Sequence, residues 1–230
     1  MQGTSGRTMF PQNYAVLVVG DPSAGLFEFC CYLGATYLKA GQKVVILEAN
    51  TSPDRVRRQM LEFGVDAVQH ELDKSLLIID AYTPRPDVGD DANALRVPDI
   101  SSLGDIFEAV TKGIDKVGGQ PVKVLFDSLT PLFMHHDLNA MGRFFKDLTT
   151  IARFSGTLTA VVHRNILDED QIALLSSIAD GLLEVKVDEG FRRLVRINYL
   201  RGVLVTPKWV PFDFEREEET DGTALIWSRR

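Results

Sequence analysis

The residues with the clearest chemical signal lie in one turn near the start of the chain. Gly20 and Gly25 stand five positions apart, directly after the apolar run Val16–Val19. This is the glycine spacing of the phosphate-binding pattern G-x-x-x-x-G-K-[ST], in which backbone N–H groups surround phosphate oxygens. The sequence therefore predicts the remnant of a nucleotide pocket, made of Gly20, Asp21, Pro22, Ser23, Ala24, Gly25, Leu26, Phe27 and Asp127.

The side chains that would do the chemistry in this turn are replaced. Leu26 stands where the pattern has the lysine that neutralises phosphate charge, and Phe27 stands where it has the hydroxyl that binds Mg²⁺. Ser23 and Ala24 add Cβ atoms to a loop that normally depends on glycine. We expect nucleotide binding to be weak or lost. A plain strand–turn–helix with a glycine at each end explains the spacing equally well.

The rest of the chain alternates between strand-like and helical segments. Short runs of Val, Ile and Leu predict buried parallel strands at 14–19, 43–49, 76–81, 122–126 and 157–162. Helices are predicted between them at 25–39, 53–63, 102–117, 138–154 and 169–178. Repeated strand–helix units of this kind predict an α/β fold with a doubly wound, mainly parallel sheet and helices on both faces.

The end of the chain follows a different pattern. Four strand-like runs follow without helices between them, at 181–187, 194–200, 209–214 and 224–227. They predict an antiparallel extension of the same sheet. We expect one domain over residues 14–230, preceded by a flexible segment at 1–13 and interrupted by a long mobile loop at 82–99.

Composition narrows the classes of function. The net charge is −7 and the pI is about 5.1, so nucleic acid is an unlikely partner. No apolar run approaches the roughly 20 residues that span a bilayer, so we expect no membrane insertion. The adjacent Cys30 and Cys31 do not suit a metal site or an ordinary disulfide. Reduced, buried thiols and the lack of a signal-peptide pattern favour the cytoplasm.

Several segments together resemble the RecA/KaiC-like ATPase family. The run Val44–Pro53 and the helix after it resemble that family's strand, Glu-Glu-Ser-Pro and helix. Val124–Leu132 is similar to its acidic strand, and Arg193–Gly202 is similar to the strand that ends Lys-x-Arg-Gly. The stretch Thr159–Gly202 looks most like the archaeal flagellar accessory protein FlaH. The resemblance covers the chain from Tyr14 onward and implies a RecA-like fold.

The same resemblance implies that the catalytic residues are missing. The family's catalytic glutamates align with Asn50 and Thr51, neither of which can act as a base on water. Its interfacial lysine aligns with Tyr199, while the following arginine is kept as Arg201. Asp127 matches the family's Mg²⁺-organising acid. Residual Mg²⁺ binding and a purely structural role for Asp127 both stay open.

The replaced catalytic residues, on a fold of this kind, predict a non-catalytic regulatory or assembly protein. No cofactor is expected, and any ATP–Mg²⁺ binding should be weak. The expected partner is a second copy or a related RecA-like or motor ATPase subunit, contacted through Tyr199 and Arg201. One alternative is an ATP-binding, FlaH-like ATPase or nucleotide switch with slow hydrolysis. Another is a recombinase paralogue that binds DNA.

The sequence also leads to expectations about the side chains of Phe27, Glu48, His163 and Arg55. Phe27 should be largely buried and should help to fill the space that ATP would occupy. Glu48 should point away from the end of its strand. His163 is either an ordinary strand-end histidine or a phosphate sensor. Arg55 shares a helix face with Arg58, and that face is either solvated or contacts a partner.

Overall fold

The fold is built around one nine-stranded sheet, seen in a computed structural model that describes residues 10–83, 93–119 and 121–214. The strand order is β4-β3-β2-β5-β6-β1-β7-β8-β9. The strands are β1 (Ala15–Gly20), β2 (Lys43–Glu48), β3 (Leu76–Asp80), β4 (Leu95–Arg96), β5 (Val122–Asp127), β6 (Gly156–His163), β7 (Gly181–Val187), β8 (Arg193–Leu200) and β9 (Val210–Pro211).

Helices connect the parallel strands. They are α1 (Leu26–Lys39), α2 (Pro53–Glu62), α3 (Ala67–Leu72), α4 (Leu103–Val117), α5 (Leu138–Ser155) and α6 (Glu169–Ile178). Strands β1 to β7 pair in parallel, whereas β8 pairs with β7 and β9 in antiparallel fashion. The predicted α/β class and the antiparallel extension are therefore confirmed. None of the described helices is long and apolar enough to cross a membrane.

Two apolar layers cover the sheet because alternate residues of each strand face opposite sides. On β2, Val45 and Leu47 belong to the apolar cluster that contains residues of α4, α5 and α6, whereas Val44 and Ile46 belong to the cluster that contains residues of α1, α2 and α3. The central strands are buried on both faces, as their continuous apolar runs predict. This arrangement brings the carboxyl ends of β1, β2, β5 and β6 to one edge of the sheet.

Local sequence signals set the helix starts. The Ser102 hydroxyl accepts the Asp105 N–H at 3.2 Å. Asp168 and Gln171 form a reciprocal capping box at the start of α6. Both pairs have the three-residue spacing that is typical of a helix start. At α2 only the proline at the first helical position is used, since the Ser52 side chain makes no cap bond.

The structure also departs from the sequence-based boundaries. The six-residue α3, capped by Asp66, and the two-residue β4 are not predicted. The strand predicted at 209–214 is reduced to β9, since only two of its residues pair. The predicted strand at 224–227, nearly all of the flexible segment at 1–13 and the middle of the loop at 82–99 lie outside the described residues.

Candidate functional site

The turn between β1 and α1 is compact. Pro22–Ala24 form one turn of 3₁₀-helix, closed by the Ala24 N–H donating to the Asp21 carbonyl at 2.9 Å. Gly25 follows with φ of 76°, a left-handed conformation that favours glycine, and α1 begins at the next residue. One N–H of the turn is therefore bonded within it, and Pro22 has none to offer.

The turn is also tied to the end of β6. The Arg164 N–H donates to the Gly20 carbonyl at 2.7 Å. The Asn165 amide donates to the Asp21 carboxylate at 3.1 Å. These bonds hold the start of the turn beside its neighbouring strand.

Leu26 fills the space behind this turn. Its side chain is 1% exposed. A Cβ atom at Gly20 would lie 2.8 Å from Leu26 Cδ2 and 2.7 Å from the Val185 carbonyl oxygen. The side chain at the lysine position therefore points into the fold and packs against the residue that opens the loop.

Phe27 lies at the wall of an open pocket. It is partly buried and packs against the apolar cluster that contains α1, and the Arg55 guanidinium stacks over its ring at 5.2 Å from the centroid. Leu26 is the more enclosed of the two residues. The expectation that Phe27 helps to fill the space of a nucleotide stays a prediction.

The pocket has a volume of about 380 Å³ and lies at the carboxyl ends of the strands. Its apolar lining consists of Pro22, Phe27, Pro131, Met134 and Ile166. Its polar lining consists of Asn50, Thr51, Arg55, Asp127, Thr130 and His163. The structure thus brings Pro22, Phe27 and Asp127 of the predicted set to one cavity, at the position where open α/β sheets bind ligands.

Asp127 lies at the base of this pocket. It is 1% exposed, and its Oδ1 accepts the Asn50 amide at 3.3 Å. Its Oδ2 is buried and has no hydrogen-bond partner among the described residues. The peptide bond to Ser128 is cis. Burial raises the pKa of Asp127 to about 7, against the lowering effect of the Asn50 amide.

Glu48 points toward the end of its strand, contrary to the sequence-based expectation. It lies opposite Asp127 in the parallel pairing of β2 with β5 and is equally buried. Its Oε1 accepts the N–H groups of Asn50 and Thr51 at 2.8 and 3.1 Å. Burial, and then the charge of Asp127, raise its pKa well above the ordinary value. Glu48 shares the parity of Val44 and Ile46, a signal that places it on the face covered by α1.

A hydrogen-bonded row joins the ends of β2, β5 and β6. The Asn50 amide also donates to Ser128 Oγ at 3.1 Å, which lies 3.4 Å from His163 Nδ1. Thr130 Oγ1 accepts the His163 N–H at 2.9 Å. Burial lowers the pKa of His163 and keeps its ring neutral at pH 7. Ser128 is fully buried, so this Ser–His contact positions the strand ends and does not present a nucleophile.

Tyr199 and Arg201 lie elsewhere. Leu200 pairs with Gly181, at the level of the first residues of β1, so both side chains lie at the amino end of the sheet, opposite the pocket. The Tyr199 hydroxyl donates to the Ser176 carbonyl, and Arg201 forms an ion pair with Asp180 at 2.9 Å. Both side chains are bonded within their own chain. Because they lie at the amino end of the sheet, neither borders the pocket of its own subunit.

The pocket offers hydrogen-bonding groups, apolar contact, the Arg55 guanidinium and two titratable side chains, Asp127 and His163. Asn50 and Thr51 offer no base, and the buried carboxyl groups are the acids that remain. Within the described ranges, no three His, Cys, Asp or Glu side chains converge closely enough to hold a metal ion.

Comparisons with known proteins agree with this fold. A family model described as "Family of unknown function (DUF7504)" matches residues 14–185. The UPF0273 protein of Aeropyrum pernix is 26% identical over 210 residues, covering 88% of this chain and 83% of that protein. The UPF0273 protein of Methanocaldococcus jannaschii is 24% identical over 219 residues, covering 90% and 87%. The crystal structure of a KaiC-like protein from Pyrococcus horikoshii matches with a TM-score of 0.69 at 18% identity, over 89% of this chain and 87% of that one.

Proposed function

The chain belongs to the family of unknown function DUF7504, and we propose that this KaiC-like ATPase scaffold acts without hydrolysing ATP, as a regulatory or assembly protein. The observation that carries the proposal is the position of Leu26, enclosed against Gly20 where an ATPase of this fold needs a lysine.

The bonding of the turn supports the same function. A triphosphate needs several inward N–H groups, a cation and a metal-bound hydroxyl. Here the Ala24 N–H is bonded to Asp21, Pro22 has no N–H, and Phe27 has no hydroxyl. The residues of this turn therefore do not fit ATP–Mg²⁺, so no step of the proposed function is routed through it.

The partner follows from the scaffold. RecA-like chains commonly assemble side by side, and a subunit that has lost hydrolysis can still contact its neighbours. We propose a second copy, or a related RecA-like or motor ATPase subunit as in the FlaH-like branch, as the partner. Cytoplasmic location belongs to the same proposal.

Titration of ATP–Mg²⁺ into the full chain tests this function. Calorimetry should give no binding heat, and the unfolding temperature should not change. A ligand at a hundred times its Kd would add about 2.7 kcal/mol to the free energy of unfolding. A thermal unfolding experiment detects a change of that size.

The alternative is a slow, ATP-binding enzyme that uses Asp127. An ATP-dependent rise in unfolding temperature, with a turnover that disappears in Asp127→Asn, would replace the proposal with that alternative. Arg58→Asn is the matched control, because Arg58 lies on the surface of α2 outside the pocket.

A further inference from the structure

The pocket contains a cation that the described part of the chain does not neutralise. Arg55 is exposed on α2 and lines the cavity, with its guanidinium 5.2 Å from the centre of the Phe27 ring. Among the described residues, no carboxylate forms an ion pair with Arg55. Arg57 on the same helix, by contrast, binds Asp54 and Glu71 at 2.9 and 2.8 Å. A guanidinium that stacks over an aromatic ring keeps its N–H edge for a planar anion such as a carboxylate.

A polar group without a partner lies at the base of the same cavity. Asp127 lines the cavity and is 1% exposed, and its Oδ2 has no hydrogen-bond partner among the described residues. Buried polar atoms in folded proteins are nearly always bonded to the protein, to water or to a ligand. The last torsion of an aspartate side chain is soft, so a small rotation of the carboxyl group turns Oδ2 toward the cavity. The base of the cavity thus calls for one hydrogen-bonding group of an occupant.

A hydroxyl group suits this carboxyl group in either protonation state. Burial raises the pKa of Asp127 to about 7, so near neutral pH the carboxyl group is present both as a donor and as an acceptor. A hydroxyl both donates and accepts, whereas an ammonium group only donates and a carboxylate only accepts. The His163 ring in the same lining is neutral at pH 7 and adds no charge.

The other walls of the cavity are apolar. Met134 and Ile166 are 83% and 61% exposed, and Phe27 and Pro131 belong to the same lining. Apolar side chains that stay exposed around a cavity are typical of a binding site. The volume of about 380 Å³ lies within the range of small-molecule sites, and it holds a body of one or two rings.

The charges at the cavity limit the occupant to one anionic group. Arg55 is the only lysine or arginine among the residues that line the cavity in the described structure. A second anionic group deeper in the cavity would meet the Asp127 carboxyl group in a buried site, where like charges repel strongly. A cationic occupant is disfavoured by Arg55 itself.

We propose that the pocket binds a small organic acid that has a ring as its body and a hydroxyl group opposite the carboxylate. The carboxylate pairs with Arg55, and the hydroxyl bonds to Asp127. The ring packs against Phe27, Met134 and Ile166. The chain is then a regulatory protein that responds to such an acid. This inference deepens the proposed function and rests on it, because the acid occupies a pocket that has lost ATP.

Isothermal titration calorimetry of the full chain with three matched probes tests this site. The first probe, 3-(4-hydroxyphenyl)propionate, carries all three features, whereas 3-phenylpropionate lacks the hydroxyl and 4-(3-hydroxypropyl)phenol lacks the charge. The first should bind with a Kd of roughly 0.01–1 mM, a range suited to about twelve non-hydrogen atoms. Each of the other two should bind about tenfold more weakly. A Kd of the first probe above about 10 mM, or an analogue that binds as tightly as the first probe, overturns the inference.

Arg55→Gln and Asp127→Leu assign the two polar contacts. In Arg55→Gln the first probe should bind about tenfold more weakly, and its advantage over the neutral phenol should disappear. In Asp127→Leu its advantage over 3-phenylpropionate should disappear. Arg58→Gln is the matched control, because Arg58 is exposed on the same helix outside the pocket, and it should leave all three affinities unchanged. An equal loss in Arg55→Gln and Arg58→Gln overturns the inference, and both variants keep the fold because both side chains are exposed.

A parallel titration with ATP–Mg²⁺ separates the two proposals. Absence of binding by both the acid and ATP overturns the acid site alone. ATP binding overturns the proposed loss of ATP binding, and the acid site then stands only if the first probe still binds in a manner that depends on Arg55.

Discussion

Glu48 and Asp127 lie side by side at the ends of adjacent parallel strands, and each is only 1% exposed. Burial raises the pKa of both carboxyl groups, that of Asp127 to about 7. Two carboxyl groups this close in a buried site do not both ionise readily. A buried site in which carboxyl groups resist ionisation lowers the stability of the folded protein. Such a loss of stability is common at functional sites.

Replacing Asp127 by Asn should stabilise the protein above neutral pH. The folded-state pKa of about 7 lies above the ordinary value of 3.8, so the stability of the parent chain falls as pH rises from 4 through 7. The asparagine side chain does not ionise, so the variant does not lose stability as the pH rises. Its free energy of unfolding should exceed the parent's by about 2–4 kcal/mol at pH 8, with little difference at pH 4. Urea unfolding at both pH values measures the effect.

Asp180→Asn is the matched control for that experiment. Asp180 is also buried, but its carboxylate accepts the Ala15 N–H at 3.1 Å and bonds from Arg153 and Arg201 at 3.0 and 2.9 Å. Its loss should destabilise the fold by about 1–3 kcal/mol. A destabilised Asp127→Asn protein at pH 8 would mean that the carboxylate of Asp127 has a partner that the proposed site lacks.

Leu26→Ala should destabilise the fold more than Phe27→Ala. Leu26 is enclosed, so its truncation should cost about 2–4 kcal/mol. Phe27 is partly buried at the pocket wall, and its loss should cost about 1–2 kcal/mol. Chemical denaturation of the two variants compares them directly. The reverse order would place Phe27, and not Leu26, inside the loop.

Glu184→Gln should show a pH dependence opposite to that of Asp127. Although burial alone would raise its pKa, hydrogen bonds from Arg196, Asn198 and Arg164 lower it overall. The stability from this carboxylate is therefore present at neutral pH and is lost as pH falls through the lowered pKa. The variant should lose about 1–2 kcal/mol at pH 7, and this loss should shrink as the pH falls below the ordinary value of 4.5. Thermal unfolding across this range is the measurement, and an equal loss at both ends would contradict it.

Self-association should not depend on nucleotide. The predicted interface residue Tyr199 makes its hydroxyl bond within its own chain, so Tyr199→Phe should leave any oligomer intact. Tyr199→Ala should weaken the oligomer by about 1–3 kcal/mol if the ring is a central contact. Sedimentation of the three proteins, each with and without ATP–Mg²⁺, measures this. Assembly that requires ATP would favour the nucleotide-switch alternative.

Much of the architecture could be predicted because its signals are local. Runs of Val, Ile and Leu locate the central strands, and paired caps such as Asp168 with Gln171 locate helix starts. The glycine spacing at Gly20 and Gly25 marks the turn between β1 and α1, at the carboxyl edge of the sheet. The two-residue strand β4 carries no such signal, and the run at 209–214 predicts a longer strand than β9, since short edge strands extend only as far as a neighbour offers free backbone groups.

The pocket was harder to predict because its members meet only through pairing register. Met134 and Ile166 belong to different connections, and nothing in either segment points to the other. The face of Glu48 follows from its parity with Val44 and Ile46, but its position opposite Asp127 depends on the register of two strands. Tyr199 and Arg201 were assigned by resemblance alone, and their bonds to Ser176 and Asp180 depend on the packing of α6 against β8.

The compact turn after β1 also limits how this chain can change by mutation. A lysine at position 26 would enter a space closed by Gly20 and Val185, and burying its charge there costs several kcal/mol. A serine or threonine at position 27 would remove the ring that packs against the Arg55 guanidinium. Single substitutions toward the phosphate-binding pattern therefore each remove packing that the present turn uses. Gly20 and Leu26 thus constrain one another in evolution, since neither can change alone without a loss of stability.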